Sequence, residues 1–532
     1  MTDSTRMPTR CALLAPISAS KMRLRSGLVG ATVFAAACSS GSEGDQTDPN
    51  AFGLRSTGHA AATATEPLLA DGDLLAYRIS EAGQRGDLNG DGDLDDSIAA
   101  SFNTASNTSR VLGVATRQIA FARQTLILSV NETHDNKDWN RDMDMDDNVL
   151  LYVTPSGAPT LLDEMTATGN GTFAAVGGTI VYGSATTPSG GRESNVRVAR
   201  VESNGGVPSM PEVALTGALP SSPGFELTGA DPSGYGLSYE VVTSDGDIVF
   251  LLADETLDGE LNGDGDADDT AILAVLDAGA ISPEVFLTRR AWATASTPTA
   301  VPVSGGGEWL VAFLVDESAE NDSLNDSEDF VGTWNPGACT QRDQDQLDSV
   351  LMWFQLTDLA MGTPVVNTGL VGASDGIAYA LRSQFVGVVS SEGDQGPGGG
   401  CILNGDGDRL DDVFRWVAAS DPTAPQQPVI DSTRLLAVQT SVPGGSGGVI
   451  RLADGWVLLV DERADGRSYD GQPGTRRDLV AMHNPSNGGQ SWNFLHGASN
   501  PVPIAATWMA EDPESTSRFY AAITEEGLGL GN

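Results

Sequence analysis

The feature that most constrains the fold is an acidic loop that recurs between two apolar strands. The clearest copies are DLNGDGDLDD at 87–96, DWNRDMDMDD at 138–147 and ELNGDGDADD at 260–269, and shorter relatives occupy 343–348 and 404–411. Each loop lies between short runs of branched and aromatic residues, such as IVFLL from Ile248 and VLLYV from Val149. Such runs, bounded by turn residues, predict buried β-strands. The repeated unit is therefore a β-hairpin with an acidic tip.

The hairpins recur at a regular spacing that predicts a propeller. A glutamate follows the first strand of each, at Glu81, Glu132, Glu255, Glu317, Glu392, Glu462 and Glu525, and a degenerate copy lies at 179–201. Eight copies with a mean spacing of about 63 residues indicate a repeat architecture. Room for two weaker strands per repeat predicts an all-β propeller of four-stranded blades, with eight blades favoured and seven the alternative. The propeller is expected to occupy residues 67–532, with an N-terminal strand from about residue 51 available to close the ring.

The acidic loops place oxygen-bearing side chains at alternate positions. Counting Asp87 as position 1, these side chains recur at positions 1, 3, 5, 7 and 10, and glycine at position 6 lets the backbone turn. A Ca²⁺ ion takes about six to eight oxygen ligands, and alternate residues of a tight loop can direct theirs to one point. A single Asp-rich stretch is usually a solvated turn, but five copies at one address predict several Ca²⁺ sites. The predicted ligands are Asp87, Asn89, Asp91, Asp93 and Asp96; Asp138, Asn140, Asp142, Asp144 and Asp147; Glu260, Asn262, Asp264, Asp266 and Asp269; Asp343, Asp345 and Asp348; and Asn404, Asp406, Asp408 and Asp411.

The flanking strands and the loop length decide which calcium loop this is. An EF-hand is excluded, because position 12, which needs a bidentate acid, carries Ile98, Val149 and Ala271. The pattern resembles the calcium loops of FG-GAP repeats, the integrin-α type β-propeller, in which D-x-N-x-D-G-x-x-D leads into a strand. That resemblance implies calcium in the blade hairpins. The family's last acid lies at position 9, where two loops here have Leu347 and Leu410. Because all five loops have Asp at position 10, we predict that position 10 supplies the closing ligand.

The recurring glutamates have two interpretations. They could reach into the adjacent loop as metal ligands, or they could accept backbone N–H bonds and shape the turn. Glu462 and Glu525 occur where no good acidic loop follows, which favours the structural role.

The N-terminus predicts export. Arg23 and Arg25 precede the apolar run GLVGATVFAAA, and Cys38 opens a polar stretch. This arrangement predicts a signal peptide over residues 1–37 and resembles a bacterial lipoprotein signal, in which Cys38 would be acylated. Residues 38–66 would then form a flexible tether. The expected location is the outer membrane or cell surface, with a periplasmic or secreted protein as the alternative.

Two further cysteines predict a disulfide. Cys339 and Cys401 lie just before the acidic runs of two successive loops, at almost the same address in adjacent repeats. Adjacent blades would hold them within bridging distance, and an exported protein meets oxidising conditions.

Charge and composition limit the functions that fit this chain. A net charge of -43 opposes binding to nucleic acid and to anionic lipid, so the lipid anchor would be the only membrane attachment. The four histidines are scattered, without a zinc-binding spacing, and no catalytic set stands out. We therefore expect a calcium-binding surface module for adhesion or scaffolding, with a surface protein or glycan as partner. The alternatives are a secreted calcium-dependent propeller enzyme, such as a polysaccharide lyase or hydrolase, and a purely structural envelope component.

Overall fold

A computed structural model describes the greater part of the chain after residue 58. The described residues are 59–63, 68–165, 172–185, 193–216, 237–303, 308–325, 345–357, 365–373, 378–382, 384–396, 401–404, 407–426, 449–452, 455–464, 466, 468–469, 478–487, 492–495, 506–511 and 519–523. The predicted signal peptide and Cys38 lie outside these ranges. Among the described residues, no helix has the length and apolar character needed to cross a bilayer.

Among the described residues, thirty strands form eight successive antiparallel units, which we number as blades 1 to 8. Blade 1 contains β1 (Leu69–Asp71), β2 (Leu74–Ser80), β3 (Ser97–Asn103) and β4 (Thr108–Ala115); blade 2 contains β5 (Gln118–Ala122), β6 (Thr125–Asn131), β7 (Asn148–Val153) and β8 (Thr160–Met165). Blade 3 contains β9 (Phe173–Val176), β10 (Thr179–Gly183), β11 (Glu193–Arg200) and β12 (Glu212–Thr216); blade 4 contains β13 (Tyr239–Asp245), β14 (Ile248–Ala253), β15 (Ile272–Asp277) and β16 (Glu284–Ala291).

The remaining blades follow the same plan. Blade 5 contains β17 (Thr299–Pro302), β18 (Trp309–Asp316), β19 (Ser349–Gln355) and β20 (Val366–Gly372); blade 6 contains β21 (Tyr379–Leu381), β22 (Phe385–Ser391), β23 (Asp412–Ala418) and β24 (Asp421–Gln426). Blade 7 contains β25 (Val449–Leu452), β26 (Gly455–Asp461), β27 (Asp478–His483) and β28 (Trp492–Phe494), and blade 8 contains β29 (Ala506–Glu511) and β30 (Phe519–Ile523). The short helices that lie wholly within the described ranges are α1 (Glu81–Gln84), α2 (Glu132–Asp135), α3 (Glu255–Asp258) and a 3-10 turn, Pro485–Asn487.

Blades 2 to 7 bury both of their faces against their neighbours. In β14, Val249 and Leu251 pack towards blade 3, while Ile248 and Phe250 pack towards blade 5 beside Phe313. Successive residues of a strand point to opposite faces, so a strand covered on both sides must be apolar throughout. This explains why the strand sequences are continuous hydrophobic runs. Apolar clusters of this kind join consecutive blades from 1 to 8.

The predicted all-β propeller of four-stranded blades is confirmed. Seven units have four strands in the order of the chain, and two strands of the eighth lie among the described residues. One departure is that β12 also pairs with β16 in parallel, through Leu215 with Glu284 and Thr216 with Val285. This pairing joins blades 3 and 4 into a single eight-stranded sheet at their outer edges.

The segment at residues 59–63 also pairs with the first blade. Ala61 forms an antiparallel bridge to Ile79 in β2. The backbone N–H of Ala62 donates to the carbonyl of Arg78, and that of Ser80 donates to the carbonyl of Ala60. The end of the segment predicted to be a tether is therefore held on the edge of β2.

Candidate metal sites in the blade hairpins

The five acidic loops lie at equivalent places in the fold. Each connects the second and third strands of its blade: β2 to β3, β6 to β7, β14 to β15, β18 to β19, and β22 to β23, in blades 1, 2, 4, 5 and 6. The repeat found in the sequence therefore corresponds to the same corner of these five blades.

A one-turn structure sets the direction in which each loop leaves its strand. In blade 1, Ser80 caps the first turn by accepting the N–H of Gly83 at 3.0 Å, and in blade 4 Asp254 accepts that of Thr256 at 2.9 Å. A short polar side chain satisfies an N–H that the helix itself leaves unpaired. Glu81 and Glu255 follow these caps and are buried in the base of the loop.

The glutamate holds the loop through one carboxylate oxygen. In blade 2, Glu132 Oε1 accepts the N–H of Trp139 at 2.5 Å and that of Asn140 at 3.1 Å. The corresponding pairs in the other blades are Leu88 and Asn89 with Glu81, Leu261 and Asn262 with Glu255, Leu324 and Asn325 with Glu317, and Leu403 and Asn404 with Glu392. The structural role favoured by the sequence is present in all five loops. In blade 7, Glu462 likewise accepts the N–H of Tyr469, where no acidic loop follows.

The second oxygen of the same glutamates points to a further role. Oε2 of Glu81, of Glu132 and of Glu255 is buried and has no hydrogen-bond partner. All three side chains are 1% exposed or less. A buried polar atom left without a partner costs roughly 1–3 kcal/mol, and more if it is charged. A cation bound in the loop would pair with this oxygen. In blade 5 the equivalent oxygen, Glu317 Oε2, accepts the N–H of Asp348 at 3.3 Å.

Carboxylates from each loop converge within ligand distance of one another. In each blade, one oxygen per residue lies within 4.8 Å of the corresponding oxygens of the rest of its group. The five groups, which we call the acidic clusters, are Glu81, Asp91, Asp93 and Asp96; Asp142, Asp144 and Asp147; Glu255, Asp264 and Asp266; Glu317, Asp345 and Asp348; and Glu392, Asp408 and Asp411. The clusters bring together positions 5, 7 and 10 in blades 1 and 2, positions 5 and 7 in blade 4, and positions 7 and 10 in blades 5 and 6. Asp406, at position 5 of blade 6, and Asp343, at position 5 of blade 5, lie outside the described residues.

Position 10, rather than position 9, faces the clusters. Asp96, Asp348 and Asp411 are buried, whereas Leu347 and Leu410 at position 9 are 84% and 87% exposed. The backbone explains this preference, because the loop glutamate's own N–H donates to the carbonyl of the position 10 residue in all five loops, at 2.8–3.1 Å. That bond closes the loop at position 10 and turns position 9 outward.

Position 3 is tied to position 10. Its asparagine Nδ2 donates to the position 10 carboxylate in five loops, from Asn89, Asn140, Asn262, Asn325 and Asn404 to Asp96, Asp147, Asp269, Asp348 and Asp411. Asn325 was not found by sequence reasoning, because residues 326–344 separate it from the acids of its loop. Its distance of eight residues from Glu317 matches that of Asn89 from Glu81, and this spacing could have identified it.

The acid at position 1 of the loop accepts backbone N–H groups and does not face the cluster. Asp87 accepts the N–H of Gly90 at 2.6 Å through Oδ1 and that of Gly92 at 3.1 Å through Oδ2. Asp138 bonds the equivalent backbone groups of its loop, and Glu260 accepts the N–H of Gly265 at 3.1 Å. These side chains are not in the acidic clusters. They shape the turn, in which Gly92 has a φ of 102° that few other residues adopt.

The clusters carry charge that their surroundings do not neutralise. Burial, followed by the contact with Asp91, raises the pKa of Asp96 to about 7. Burial and the charge of Glu255 raise the pKa of Asp269, at position 10 of blade 4, to about 7. Both shifts mean that the ionised carboxylates are disfavoured without a cation. A bound cation would relieve the desolvation and the repulsion together.

A second set of polar residues lies where the first strands of the blades meet. The first strands of successive blades contact one another, and Arg451 of β25 reaches across to blades 4 and 5. Its guanidinium pairs with Asp245 at 2.8 Å and donates to Thr299 Oγ1 at 2.6 Å and to the carbonyl of Ala300 at 3.2 Å. Burial opposes ionisation of Asp245, but Arg451 and the hydrogen bonds outweigh it and lower its pKa. These groups satisfy one another and hold three blades together.

Cys401 is buried beside Leu403 and Val413 at the base of the blade 6 loop. Its predicted partner, Cys339, lies outside the described residues. The disulfide therefore stays a prediction.

No family model and no curated protein matches this sequence. Solved structures that resemble the chain include the Dos1 propeller, at 9% identity and a TM-score of 0.32, covering 85% of this chain and 88% of that one. The polysaccharide lyase Uly1 matches at 10% identity and a TM-score of 0.31, covering 79% and 90%. The GH74 enzyme of Niastella koreensis matches at 10% identity and a TM-score of 0.24, covering 82% and 71%. At identities and TM-scores this low, none of these likenesses bears on the chemistry of the loops.

Proposed function

We propose that the protein is an exported calcium-binding β-propeller that acts as a surface binding or scaffold module. One observation supports the metal: Glu81 and Glu255 each have a buried oxygen without a partner, and each belongs to a cluster of converging carboxylates. Protein atoms leave this oxygen unpaired. A cation placed among the carboxylates would pair it and reduce their mutual repulsion.

The donor set favours calcium over other metals. Every group in the acidic clusters is a carboxylate, and the clusters contain neither histidine nor cysteine. Oxygen-only sites suit hard cations, and zinc prefers nitrogen and sulfur ligands. Three or four carboxylates on a flexible loop suit Ca²⁺ better than Mg²⁺, which demands near-ideal octahedral geometry and keeps most of its water.

Bound ions would make the loops rigid supports for recognition. The loops occupy the same corner of five blades, so ordering them would order one face of the propeller and lower the entropy cost of binding a partner. Extracellular calcium modules bind with Kd values of about 10⁻⁴ to 10⁻³ M, so such sites are filled outside the cell. We infer a surface protein or glycan as the partner, with acylated Cys38 as the membrane anchor and an FG-GAP-like use of calcium.

Calcium titration of the metal-stripped protein tests the proposal. Isothermal titration calorimetry is expected to detect about five ions, one for each acidic cluster, and thermal melting should show stabilisation by Ca²⁺ that EDTA reverses. Asp91→Asn should remove one ion. Asp95→Asn makes the same charge change in the same loop, at an exposed position outside the cluster, and should keep all of them. An unchanged melting temperature with and without Ca²⁺ would rule out the stabilising role.

A further inference from the structure

The turn that opens the acidic loop of blade 5 lies against the acidic loop of blade 4. Asn321 Nδ2 donates to Asp264 Oδ2 at 2.8 Å and to Asp266 Oδ2 at 2.7 Å. In the same contact, Asn262 Nδ2 donates to the backbone carbonyl of Ala319 at 3.1 Å. Asp264 and Asp266 belong to the blade 4 cluster. One side chain from blade 5 therefore touches two of the three acidic groups of that cluster.

Neighbouring residues hold this turn in place independently of Asn321. Glu320 is buried, accepts the N–H of Ala291 at 2.6 Å and pairs with Arg290, both of them in β16 of blade 4. These contacts of Glu320 hold the backbone of the turn where the side chain of Asn321 reaches the cluster.

The blade 4 cluster also holds a buried group that lacks a partner. Glu255 is 1% exposed and its Oε2 has no hydrogen bond. An asparagine carries an oxygen and a nitrogen at the same distance from its backbone, and half a turn of the amide exchanges them. Such a turn would direct Oδ1 of Asn321 to the point where Asp264 and Asp266 converge.

We propose that Asn321 is a calcium ligand supplied to the blade 4 site by blade 5, so that one ion is held by two blades. The inference rests on the calcium binding proposed above and adds a specific donor to it. Carboxamide oxygens are ordinary Ca²⁺ ligands, and a donor from a second blade makes ion binding depend on the packing of the two blades. Calcium at this site fastens blade 4 to blade 5.

The backbone at this position provides a clean test. Asn321 is left-handed, with a φ of 49°, and the equivalent residues of blades 4, 6 and 7 are Gly259, Gly396 and Gly466, with φ of 85°, 98° and 67°. Glycine is therefore native to this place in the repeat, and Asn321→Gly removes the side chain without backbone strain. Asn136, with a φ of 47°, holds the same place in blade 2. Asn136→Gly is the matched control.

Calcium binding to the purified protein is measured by calorimetry for the wild type, Asn321→Gly, Asn136→Gly, Asp264→Asn and the double variant of Asn321→Gly with Asp264→Asn. We expect Asn321→Gly to weaken one site by about tenfold or more, a loss in the range seen when metal-site partners are removed. Asn136→Gly should leave the blade 4 site at wild-type affinity. The double variant should bind as Asp264→Asn alone, because both changes act on one site.

The outcomes separate this inference from the proposed function. If Asp264→Asn loses an ion while Asn321→Gly binds like the wild type, Asn321 is not a ligand and only this inference fails. If the double variant loses or weakens a second ion besides the one affected by Asp264→Asn, Asn321 acts on a different site and the inference fails again. If the wild type takes up no calcium, the proposed function and this inference fall together.

Discussion

Replacing Glu255 by glutamine separates the two roles assigned to the loop glutamates. A glutamine can still accept the N–H groups of Leu261 and Asn262 through its Oε1, so the shape of the loop is kept. It removes the negative charge and puts an NH₂ group where the unpaired Oε2 lies. Burial raises the pKa of Glu255, which shows that its charge is unfavourable without a cation. We therefore expect Glu255→Gln to leave the metal-free protein as stable as the wild type, or more so.

The calcium-bound protein should respond in the opposite direction. With a Kd of about 10⁻⁴ M and about 10 mM Ca²⁺, one site contributes about 2.7 kcal/mol to the free energy of unfolding. Glu255→Gln should lose most of that contribution at one site. Glu255→Ala also leaves two backbone N–H groups without an acceptor, at about 1–3 kcal/mol each, and should be destabilised with or without calcium.

Urea unfolding of the three proteins in EDTA and in Ca²⁺ is the assay. The expected pattern is a glutamine variant that differs from the wild type only in calcium, and an alanine variant that is weaker in both buffers. If Glu255→Gln gains as much stability from calcium as the wild type does, the unpaired oxygen is not a ligand. If it is as unstable in EDTA as Glu255→Ala, the carboxylate is needed for the loop itself.

Three other predictions concern pH, the cysteines and the N-terminus. Burial raises the pKa of Asp258 from 3.8 to about 6, so the folded state binds the proton of Asp258 more tightly than the unfolded state does. The free energy of unfolding therefore falls as the pH rises from about 4 to 6. In EDTA, Asp258→Asn should raise the melting temperature at pH 7.5 and leave it unchanged at pH 4. If Cys339 and Cys401 form a disulfide, the intact mass after alkylation without reductant will show that neither cysteine is labelled. Reduction of the disulfide should lower the free energy of unfolding by about 4 kcal/mol. Labelling of both thiols would contradict the pairing. A chain that begins at residue 64 should melt below one that begins at residue 39, because only the longer form keeps the segment on β2; equal melting temperatures would show that this segment does not stabilise the fold.

The sequence predicted the parts of the site that depend on local order. The period and the strand pattern were enough for the blade and its acidic corner, because a hairpin is specified by residues close in sequence. Leu347 and Leu410 directed attention from position 9 to position 10, since leucine offers no ligand oxygen, and in the structure both leucines are exposed. The position 1 acids were predicted as ligands from alternation alone, and alternation does not show that Asp87 turns back to bond Gly90 and Gly92.

Contacts between blades could not be predicted in this way. Asn321 reaches Asp264, 57 residues earlier in the chain, only because two loops are packed side by side. The sequence of neither loop shows which other loop will lie beside it. The sequence left both interpretations of the glutamates open, because it shows which residue ends a strand but not how its two oxygens are paired. The pairing of β12 with β16 is a further contact of this kind, decided by how two outer edges meet.

One recurring contact between blades bears on how the ring is completed. In blades 2, 5 and 6, the residue three places after the loop glutamate accepts a backbone N–H from the outer strand of the preceding blade: Asp135 from Ala115 at 2.7 Å, Glu320 from Ala291 at 2.6 Å, and Gln395 from Val371 at 3.0 Å. In blade 1 the same position is Gln84, and it accepts the N–H of Ala60 at 2.9 Å. The next residue, Ala61, forms a β-bridge to Ile79 of blade 1. In the same way Trp292, the residue after Ala291, forms a β-bridge to Val315 of blade 5. Residues 60–62 thus stand where the outer strand of the blade before blade 1 would end, and in a ring of eight that blade is blade 8. We propose that the N-terminal segment supplies this strand, so that closure of the ring ties the two ends of the propeller together.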